Sequence, residues 1–402
     1  MTFESDFWNW VHLHEKDAPS KLMLDSTGKA IGVDVRRAVV QIQARQKFGK
    51  KLGETFRRFP DFYVPTLLNG EQSTSDLLAD YHATLIDQGA TVVDLTAGLG
   101  IDAMHLAVRA LNVVAVDQNE ELTEALTYNA AGLGVDNLKA VNSSCEDFLN
   151  ECVAEGRHFD VAFIDPARRG DEGRRLFALE DCSPDVVSLL PVIAKVADKL
   201  IIKASPMLDI TSIINSLTPP PTRVIACGTA TECKELIAVV DFKLLNQTPK
   251  IEGVTLPLDA EFSFTQEQER QCGLPEVIRL PKEGAYVCEA YPAVMKTGAF
   301  RLLAERFDLK MFHANTRVFY SDELKAEFPG NTYIILKVLP YASRVIKRFA
   351  KEYPQINIAA RNFGMSADAL RAKLGVRDGG DLRLYAVSDY RGERLLLVTK
   401  AV

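Results

Sequence analysis

Cysteine and histidine are scarce in this chain, and neither is clustered. The 402 residues include seven cysteines, with no Cys-x-x-Cys pair, and six histidines, with no His-Glu-x-x-His motif. An odd number of cysteines does not suit a disulfide framework, and these spacings suit no zinc site. The sequence therefore predicts neither a metal nor disulfides, and it favours a reducing, cytoplasmic location.

Long apolar runs are also missing. No stretch approaches the roughly 18 uninterrupted apolar residues of a membrane span. The first residues carry acids and lack a basic region ahead of an apolar run, so neither a secretory signal nor membrane association is expected. Hydrophobic residues make up 47% of the chain and charged residues 25%, which indicates a folded globular protein. Its length suggests two or three domains.

The net charge of −7 is distributed unevenly along the chain. Residues 71–249 carry a charge of −14, whereas residues 330–402 carry +7. A basic module beside an acidic segment is typical of proteins that bind polyanions, RNA above all. A solvated basic surface would give the same composition, so charge alone leaves both interpretations open.

Between residues 91 and 242, β-branched runs alternate with helical patterns. The runs are TVVDLT (91–96), NVVAVD (112–117), LKAVNS (138–143), FDVAFID (159–165), KLIIKAS (199–205), TRVIAC (222–227) and ELIAVVDF (235–242). This alternation indicates a mostly parallel sheet that is buried on both faces. Only seven residues separate the last two runs, too few for a crossover helix. The prediction is therefore an α/β sheet of seven strands, six parallel and one antiparallel.

The flanking segments predict three further parts. Residues 1–70 read as a helical segment, ahead of the α/β domain at 71–249, and a linker is expected at 248–258. Short strands mixed with helices then predict two small α+β domains, at residues 250–331 and 332–402.

The first predicted strand ends in a glycine-rich turn, Asp94-Leu-Thr-Ala-Gly98-Leu-Gly100. Ligands of open parallel sheets bind at the carboxyl ends of the strands, and the glycines would let a ligand approach the backbone amides. Asp94 would repel a pyrophosphate but would suit a cationic amino group, such as that of a methionine moiety. A simple connecting turn is the alternative. The candidate cofactor-binding residues here are Asp94, Thr96, Gly98 and Gly100.

Polar residues also follow the second and third strands. Asp117, 19 residues past Gly98, could accept both ribose hydroxyls of a nicotinamide or an S-adenosylmethionine cofactor, or it could cap the next helix. After the third strand, Ser144, Cys145 and Glu146 are candidates for contact with an adenine. Capping of the following helix by a serine is equally consistent with the sequence.

The fourth strand ends in Asp165-Pro166-Ala-Arg168. The proline stiffens the loop, and the acid could accept a hydrogen bond from an exocyclic amine and leave the nitrogen lone pair facing an electrophile. Arg168 could hold a phosphate or a neighbouring nucleotide, although a turn with salt-bridged arginines is the alternative. The candidate catalytic residues are thus Asp165, Pro166 and Arg168. At the end of the fifth strand, Lys203 is expected to form a salt bridge rather than to act as a base.

Taken in order, these motifs resemble those of class I S-adenosylmethionine-dependent methyltransferases over about residues 70–245. They are Asp94-x-x-x-Gly98-x-Gly100, Asp117 and Asp165-Pro-Ala-Arg168. Later stretches are similar to bacterial members that carry a ferredoxin-like insert and a C-terminal THUMP-like domain; they are Asn315-Thr-Arg, Ser321-Asp-Glu-Leu and Arg361-Asn-Phe. The resemblance implies a Rossmann-like sheet, S-adenosylmethionine as the cofactor, and RNA, either tRNA or rRNA, as the substrate.

The resemblance departs from the family pattern at two positions. Amine methyltransferases usually place an aromatic residue where this chain has Arg168. Asp-Pro-Ala-Arg also resembles uracil-C5 methyltransferases, but their nucleophilic cysteine is replaced here by Ser205-Pro206. Guanine-N2 enzymes are the nearest analogy that the resemblance leaves, so an exocyclic amine is the expected acceptor. A small-molecule methyltransferase, a non-catalytic RNA-binding protein and a nicotinamide-dependent oxidoreductase remain as alternatives, and the oligomeric state is left open.

Overall fold

A computed structural model describes residue 3 and residues 5–23, 32–168, 178–244, 247–258 and 260–402. The helices of these ranges are α1 (Ser5–Leu13), α2 (Pro19–Leu22), α3 (Val35–Phe48), α4 (Gly53–Arg58), α5 (Leu67–Gln72), α6 (Asp76–Thr84), α7 (Ile101–Leu106), α8 (Glu120–Gly132), α9 (Cys145–Glu155), α10 (Val186–Val196), α11 (Ile210–Ser216), α12 (Gln266–Gln271), α13 (Pro292–Lys296), α14 (Phe300–Arg306), α15 (Ser343–Glu352) and α16 (Ala367–Leu374).

The strands of the same ranges are β1 (Thr91–Asp94), β2 (Asn112–Asp117), β3 (Leu138–Asn142), β4 (Phe159–Ile164), β5 (Ala167–Arg168), β6 (Cys182–Ser183), β7 (Ala197–Ala204), β8 (Arg223–Thr229), β9 (Cys233–Asp241), β10 (Lys250–Leu256), β11 (Ala260–Thr265), β12 (Tyr286–Ala290), β13 (Lys310–Met311), β14 (Phe319–Ser321), β15 (Gly330–Pro340), β16 (Asn357–Arg361), β17 (Leu382–Ser388) and β18 (Arg394–Ala401).

All seven predicted strands of the α/β segment are present, as β1 to β4 and β7 to β9. The pairs β1–β2, β2–β3, β1–β4 and β4–β7 are parallel. The last of the seven, β9, pairs antiparallel with β7, as the short connection before it predicts. The central strands are buried along most of their length, which is why they read as continuous apolar runs.

The strand count of seven is wrong, because the sheet has nine strands. Its order is β11-β10-β8-β9-β7-β4-β1-β2-β3. The expected linker at 248–258 instead contains β10, whose residues from Ile251 to Leu256 are buried. Glu252 and Gly253 interrupt the apolar pattern there, so the sequence alone does not reveal this strand. Strand β1 lies between β2 and β4, and open sheets bind their ligands at such a reversal of strand order, here at the carboxyl ends of β1 and β4.

The predicted helical segment before residue 70 consists of helices α1 to α5. Aromatic and aliphatic side chains of this segment form a buried cluster that includes Ala125 of α8. Trp8 Nε1 donates to the Tyr128 hydroxyl at 2.9 Å. The buried Asn129 side chain pairs with the backbone of Tyr63 at 2.7 and 2.9 Å. The helical segment is therefore anchored on the helix that follows β2.

The described chain divides into two compact units, residues 1–224 with 235–248, and residues 225–234 with 249–402. In the second unit, a seven-stranded sheet has the order β13-β14-β12-β15-β18-β17-β16. Its long strand β15 pairs antiparallel with both β12 and β18. The strands expected in two separate α+β domains thus share one sheet. Within the described ranges, no helix combines the length and apolarity needed to cross a membrane.

Candidate active site

The turn after β1 has a backbone that requires glycine. Gly98 and Gly100 have φ angles of +55° and +83°, in the left-handed region. A Cβ atom at Gly100 would lie 2.0 Å from Cδ1 of Leu126, so a larger residue would also clash with α8. The turn therefore approaches the next helix closely at Gly100, whereas a Cβ atom at Gly98 would meet open space.

Asp117 is tied to this turn rather than to the following helix. One carboxylate oxygen accepts from the Gly98 amide and the other from the Asn119 amide, both at 2.8 Å. Asn119, not Asp117, caps α8. The helix-capping alternative for Asp117 is therefore wrong, and its half-buried carboxylate is fixed beside the glycine turn.

Asp94 is a buried carboxyl group at the end of β1, with only 1% of the residue exposed. Its Oδ1 accepts from the Thr96 amide at 3.1 Å. Burial raises the pKa of Asp94 well above its usual value, and the charge of Asp102 raises it further. The Thr96 hydroxyl accepts from the Asp165 amide at 2.7 Å, so the turn after β1 and the loop after β4 are joined.

The residues after β3 form the start of a helix. The Ser144 hydroxyl accepts from the Asp147 amide at 3.0 Å and caps α9, which is the capping alternative that the sequence left open. Cys145 is buried, and burial raises the pKa of its thiol to about 12. Glu146 is exposed in the first turn. The Ser144 side chain thus has a structural role, and contacts of all three residues with a cofactor stay predictions.

Asp165 directly follows β4, and 42% of its side chain is exposed. The next residue, Pro166, is buried. Residues Ala167 and Arg168 then pair antiparallel with β6 in a two-stranded sheet. The Arg168 side chain lies outside the described part of the chain, as do Arg169, Arg174 and Arg175, the arginines that follow it in sequence.

A buried network of charged side chains lies behind Asp165. Lys203 Nζ donates to Asp165 Oδ2 at 2.6 Å, to Thr74 Oγ1 at 2.7 Å and to Asp102 Oδ2 at 3.1 Å. The salt bridge predicted for Lys203 is therefore confirmed. In turn, Asp102 Oδ1 contacts His82 Nδ1 at 2.7 Å, and His82 Nε2 contacts Glu235 Oε1 at 2.5 Å.

The sequence analysis missed four members of this network, namely Thr74, His82, Asp102 and Glu235. Only Asp102 gave a local signal, as an acid two residues after Gly100 in an otherwise apolar helix start. The others come from distant parts of the chain. No group of three or more His, Cys, Asp or Glu side chains in the described ranges is arranged to hold a metal ion.

Contacts between opposite charges determine which side chains of this network are ionised. Burial alone would lower the pKa of His82, but the carboxylates of Glu235 and Asp102 outweigh it and raise that pKa to about 9. Burial alone would raise the pKa of Asp102, but Lys203 and His82 hold it well below its usual range. Similarly, Asp102 and Asp165 overcome burial and raise the pKa of Lys203. Lys203 and His82 are thus both cationic at neutral pH.

We expect His82 to make the folded state less stable at alkaline pH. Its pKa rises from 6.5 to about 9 on folding, so its contribution is complete below pH 6.5 and is lost as pH rises through 9. At roughly 1.4 kcal/mol per pKa unit, the loss is about 3 kcal/mol. Chemical denaturation at pH 6.5 and 9 tests this, with His82→Gln as the variant that should lack this part of the pH dependence. Equal wild-type stability at both pH values would contradict it.

Comparisons with known proteins agree with this arrangement. Residues 74–173 match the family described as Conserved hypothetical protein 95, residues 286–329 match a ferredoxin-like domain, and residues 330–401 match a THUMP domain-like family. The whole chain aligns with a solved structure, that of a candidate methyltransferase from Porphyromonas gingivalis W83. The TM-score is 0.87, the sequence identity is 26%, and 100% of each chain is covered. Over its whole length the chain thus has the fold of that methyltransferase structure.

Curated relatives of this methyltransferase-fold protein match only a short segment. The 23S rRNA (uracil(1939)-C(5))-methyltransferase RlmD of Photobacterium angustum is 37% identical over 82 residues, which is 20% of this chain and 37% of that protein. An uncharacterized RNA methyltransferase of Clostridium tetani is 29% identical over 96 residues, 24% of this chain and 21% of its own. The chain thus spans well under half the length of either relative.

Proposed function

We propose that the protein is an S-adenosylmethionine-dependent methyltransferase that acts on RNA, at an exocyclic base amine such as guanine N2. The observation that carries the proposal is the hydrogen bond from the Asp165 amide to the Thr96 hydroxyl. This bond joins a turn suited to a cationic amino acid ligand to an exposed carboxylate suited to an amine. Both lie where β1 and β4 end, the usual ligand crevice of such sheets.

The residues of the crevice suit the proposed cofactor. Asp94 would receive the methionine amino group, the turn at Gly98 and Gly100 would lie against the methionine end, and Asp117 would accept the ribose hydroxyls. When bound, S-adenosylmethionine supplies an activated methyl group on a sulfonium. Asp94 fits a cationic ligand because burial disfavours its ionised form until a positive charge arrives.

Little acid–base chemistry is required of the protein in this reaction. The acceptor nitrogen must approach the methyl carbon in line, at roughly 3–3.5 Å, so most of the catalysis is alignment. The exposed oxygen of Asp165 would accept a hydrogen bond from the amine and orient its lone pair. The amine proton would leave after transfer, to Asp165 or to water.

The acceptor is proposed from the residues at the ends of β4 and β7. The relatives named above include an enzyme of uracil C5, and such chemistry uses a cysteine at the end of the fifth strand. This chain has Ser205 there, directly after β7. The buried Cys145, with its raised thiol pKa, is no substitute as a nucleophile. A 5-methyluridine product would show that the proposed acceptor is wrong, but it would still support the proposal that the substrate is RNA.

The basic C-terminal segment supports RNA, tRNA or rRNA, as the substrate. Helix α15 places four exposed cations on one side: Arg344, Lys347, Arg348 and Lys351. We call these four residues the basic stripe. The opposite side, with Val345, Ile346 and Phe349, packs into the core of the second unit. In the described ranges no carboxylate pairs with the stripe, so its charges are available to phosphates.

Calorimetry tests the cofactor proposal. S-adenosylhomocysteine should bind in preference to NAD, and Asp117→Ala should weaken it at least tenfold, because a hydrogen bond to a charged acceptor contributes roughly 1.5–3 kcal/mol. The control is Asp136→Ala, at a residue remote from the crevice in sequence. Binding of NAD without S-adenosylhomocysteine would overturn the proposal.

We also expect cofactor binding to release a proton. Asp94 has a raised pKa in the free protein, whereas a bound amino group would favour its ionised form. The affinity for S-adenosylhomocysteine should therefore increase with pH until the free carboxyl group is fully ionised. Calorimetry in two buffers of different ionisation enthalpy measures the protons released. Asp94→Asn should abolish this release, and identical release by the variant would assign it to another group.

Nucleoside mass spectrometry tests the substrate. RNA from cells that lack the gene should lose one methylated nucleoside, and the purified protein should restore it with S-adenosylmethionine. If no RNA is bound or methylated at low salt, a small-molecule substrate becomes the better proposal. The cytoplasmic location expected from the sequence is kept as part of the proposal.

A further inference from the structure

We propose that Lys203 is a positioning residue that holds one oxygen of Asp165 and leaves the other for the acceptor amine. We infer further that Asp102, His82 and Glu235 form the buried support that keeps Lys203 in place. The proposal rests on the methyltransferase function proposed above and names a further residue for that reaction. Lys203 does not touch the acceptor itself but acts through Asp165.

The hydrogen bonds of Lys203 leave its ammonium group one orientation. An ammonium has three N–H donors and no acceptor. The three donors meet Asp165 Oδ2, Thr74 Oγ1 and Asp102 Oδ2, at 2.6, 2.7 and 3.1 Å. Rotation about the terminal bond would leave buried donors and acceptors unpaired, which is costly. The Asp165 carboxylate is therefore held by a donor that is itself fixed.

The support behind Lys203 is continuous and buried. Asp102 also accepts from the Thr74 hydroxyl and contacts protonated His82, and His82 contacts Glu235 through its other nitrogen. His82 lies on α6 and Asp102 on α7, whereas Lys203 lies on β7 and Glu235 on β9. Thr74 lies two residues before α6 begins. The network therefore links the two helices that flank β1 to the strands β7 and β9, within the first of the two units.

Exposure separates Asp165 from the other members of the network. The side chains of Lys203, Asp102, His82 and Glu235 are at most 10% exposed, whereas that of Asp165 is 42% exposed. Asp165 is thus the member of the network that a ligand at the strand ends could reach. Here the buried cation contacts Oδ2 of Asp165 from inside, and the group remains accessible from the crevice.

A double-mutant cycle on methyl transfer tests the proposal. The assay uses tritiated S-adenosylmethionine and bulk RNA from cells that lack the gene. We expect Lys203→Met to lower kcat by about 30-fold or more, with the Kd for S-adenosylhomocysteine changed by less than about threefold. In an Asp165→Asn background, Lys203→Met should change kcat by less than about twofold, because Lys203 acts through that carboxylate.

Lys199→Met is the matched control, since Lys199 lies four residues earlier on β7 and its ion pair in the described ranges is with exposed Asp87. It should leave kcat unchanged. The proposal would be overturned if the effects of Lys203→Met and Asp165→Asn on kcat simply multiplied in the double variant. A Lys203→Met variant with wild-type kcat would overturn it as well.

A milder variant covers the case in which Lys203→Met does not fold. Thr74→Val keeps both charges and the side-chain shape but removes the hydroxyl between Lys203 and Asp102. We expect kcat to fall by about three- to tenfold with unchanged Kd, and this fall to vanish in the Asp165→Asn background. An unchanged kcat in a folded Thr74→Val variant, together with an unfolded Lys203→Met variant, would make the network purely structural. If the wild type methylates no RNA fraction, the proposed function fails first, and this inference fails with it.

Discussion

Asp165→Ala should lower the rate of methyl transfer by at least about 100-fold, because misplacing a reacting atom by about 1 Å can cost that much. The variant removes the exposed carboxylate that would orient the acceptor amine, and it leaves Lys203 without its partner at 2.6 Å. The glycine turn after β1 keeps its own bonds, from Gly98 to Asp117 and from Thr96 to Asp94. The Kd for S-adenosylhomocysteine should therefore stay within a few-fold of wild type. Radiometric transfer to RNA and calorimetry measure the two quantities.

Asp160→Ala provides the matched control for this variant. Asp160 lies near the start of the same strand, where it accepts from the amide and hydroxyl of Thr91 at 2.7 and 2.8 Å. Loss of this carboxylate should lower the free energy of unfolding. It should not change the rate of methyl transfer relative to the Kd for S-adenosylhomocysteine. Full activity of Asp165→Ala on the true substrate would remove Asp165 from the mechanism and would favour an acceptor other than an amine.

Replacement of the basic stripe by glutamine should abolish most RNA affinity. The four residues of the stripe lie on one side of α15 and, in the described part of the chain, have no carboxylate partner. If each contacts one phosphate, log affinity changes by roughly 0.7–0.9 per phosphate for each tenfold change in salt. Loss of all four should reduce the salt slope by about 3 and weaken binding by about 100- to 1000-fold near 0.1 M salt.

A second quadruple variant of the same charge provides the control. In the same unit, four lysines each lie within 4 Å of a carboxylate: Lys282, Lys310, Lys325 and Lys337. Their replacement by glutamine should change the salt slope much less, because their charges are already compensated. Equal losses for the two variants would show that net charge, and not the stripe, governs binding.

Substitution is a better test of the tail than truncation. A chain cut near Leu339 would end within β15 and would lose its partner β18. Strand β15 also pairs with β12, so the cut would disrupt the core of the second unit as well as remove charge. Loss of RNA binding by such a fragment would not separate recognition from folding.

Several features of this protein follow from the sequence alone. The seven α/β strands, the antiparallel direction of the last one and the glycine turn after β1 are all encoded within short segments. They depend on side-chain periodicity, loop length and steric freedom, which are local properties. The +7 charge of residues 330–402 is likewise evident before any contact is known. The salt bridge of Lys203 was predicted as a type of interaction, although not its partners.

Only the tertiary structure decided which distant side chains meet. His82 and Glu235 are 153 positions apart, and Lys203 and Thr74 are 129 apart. No local pattern relates such residues, because burial and the pairing of charges depend on how the strands and helices assemble. For the same reason, the strand β10 was read as a linker, and Asp117 was open to two interpretations until its bonds to the Gly98 and Asn119 amides were seen. The sequence thus predicted the strand ends at which the proposed ligand crevice lies, and assembly of the sheet determined which buried charges lie behind them.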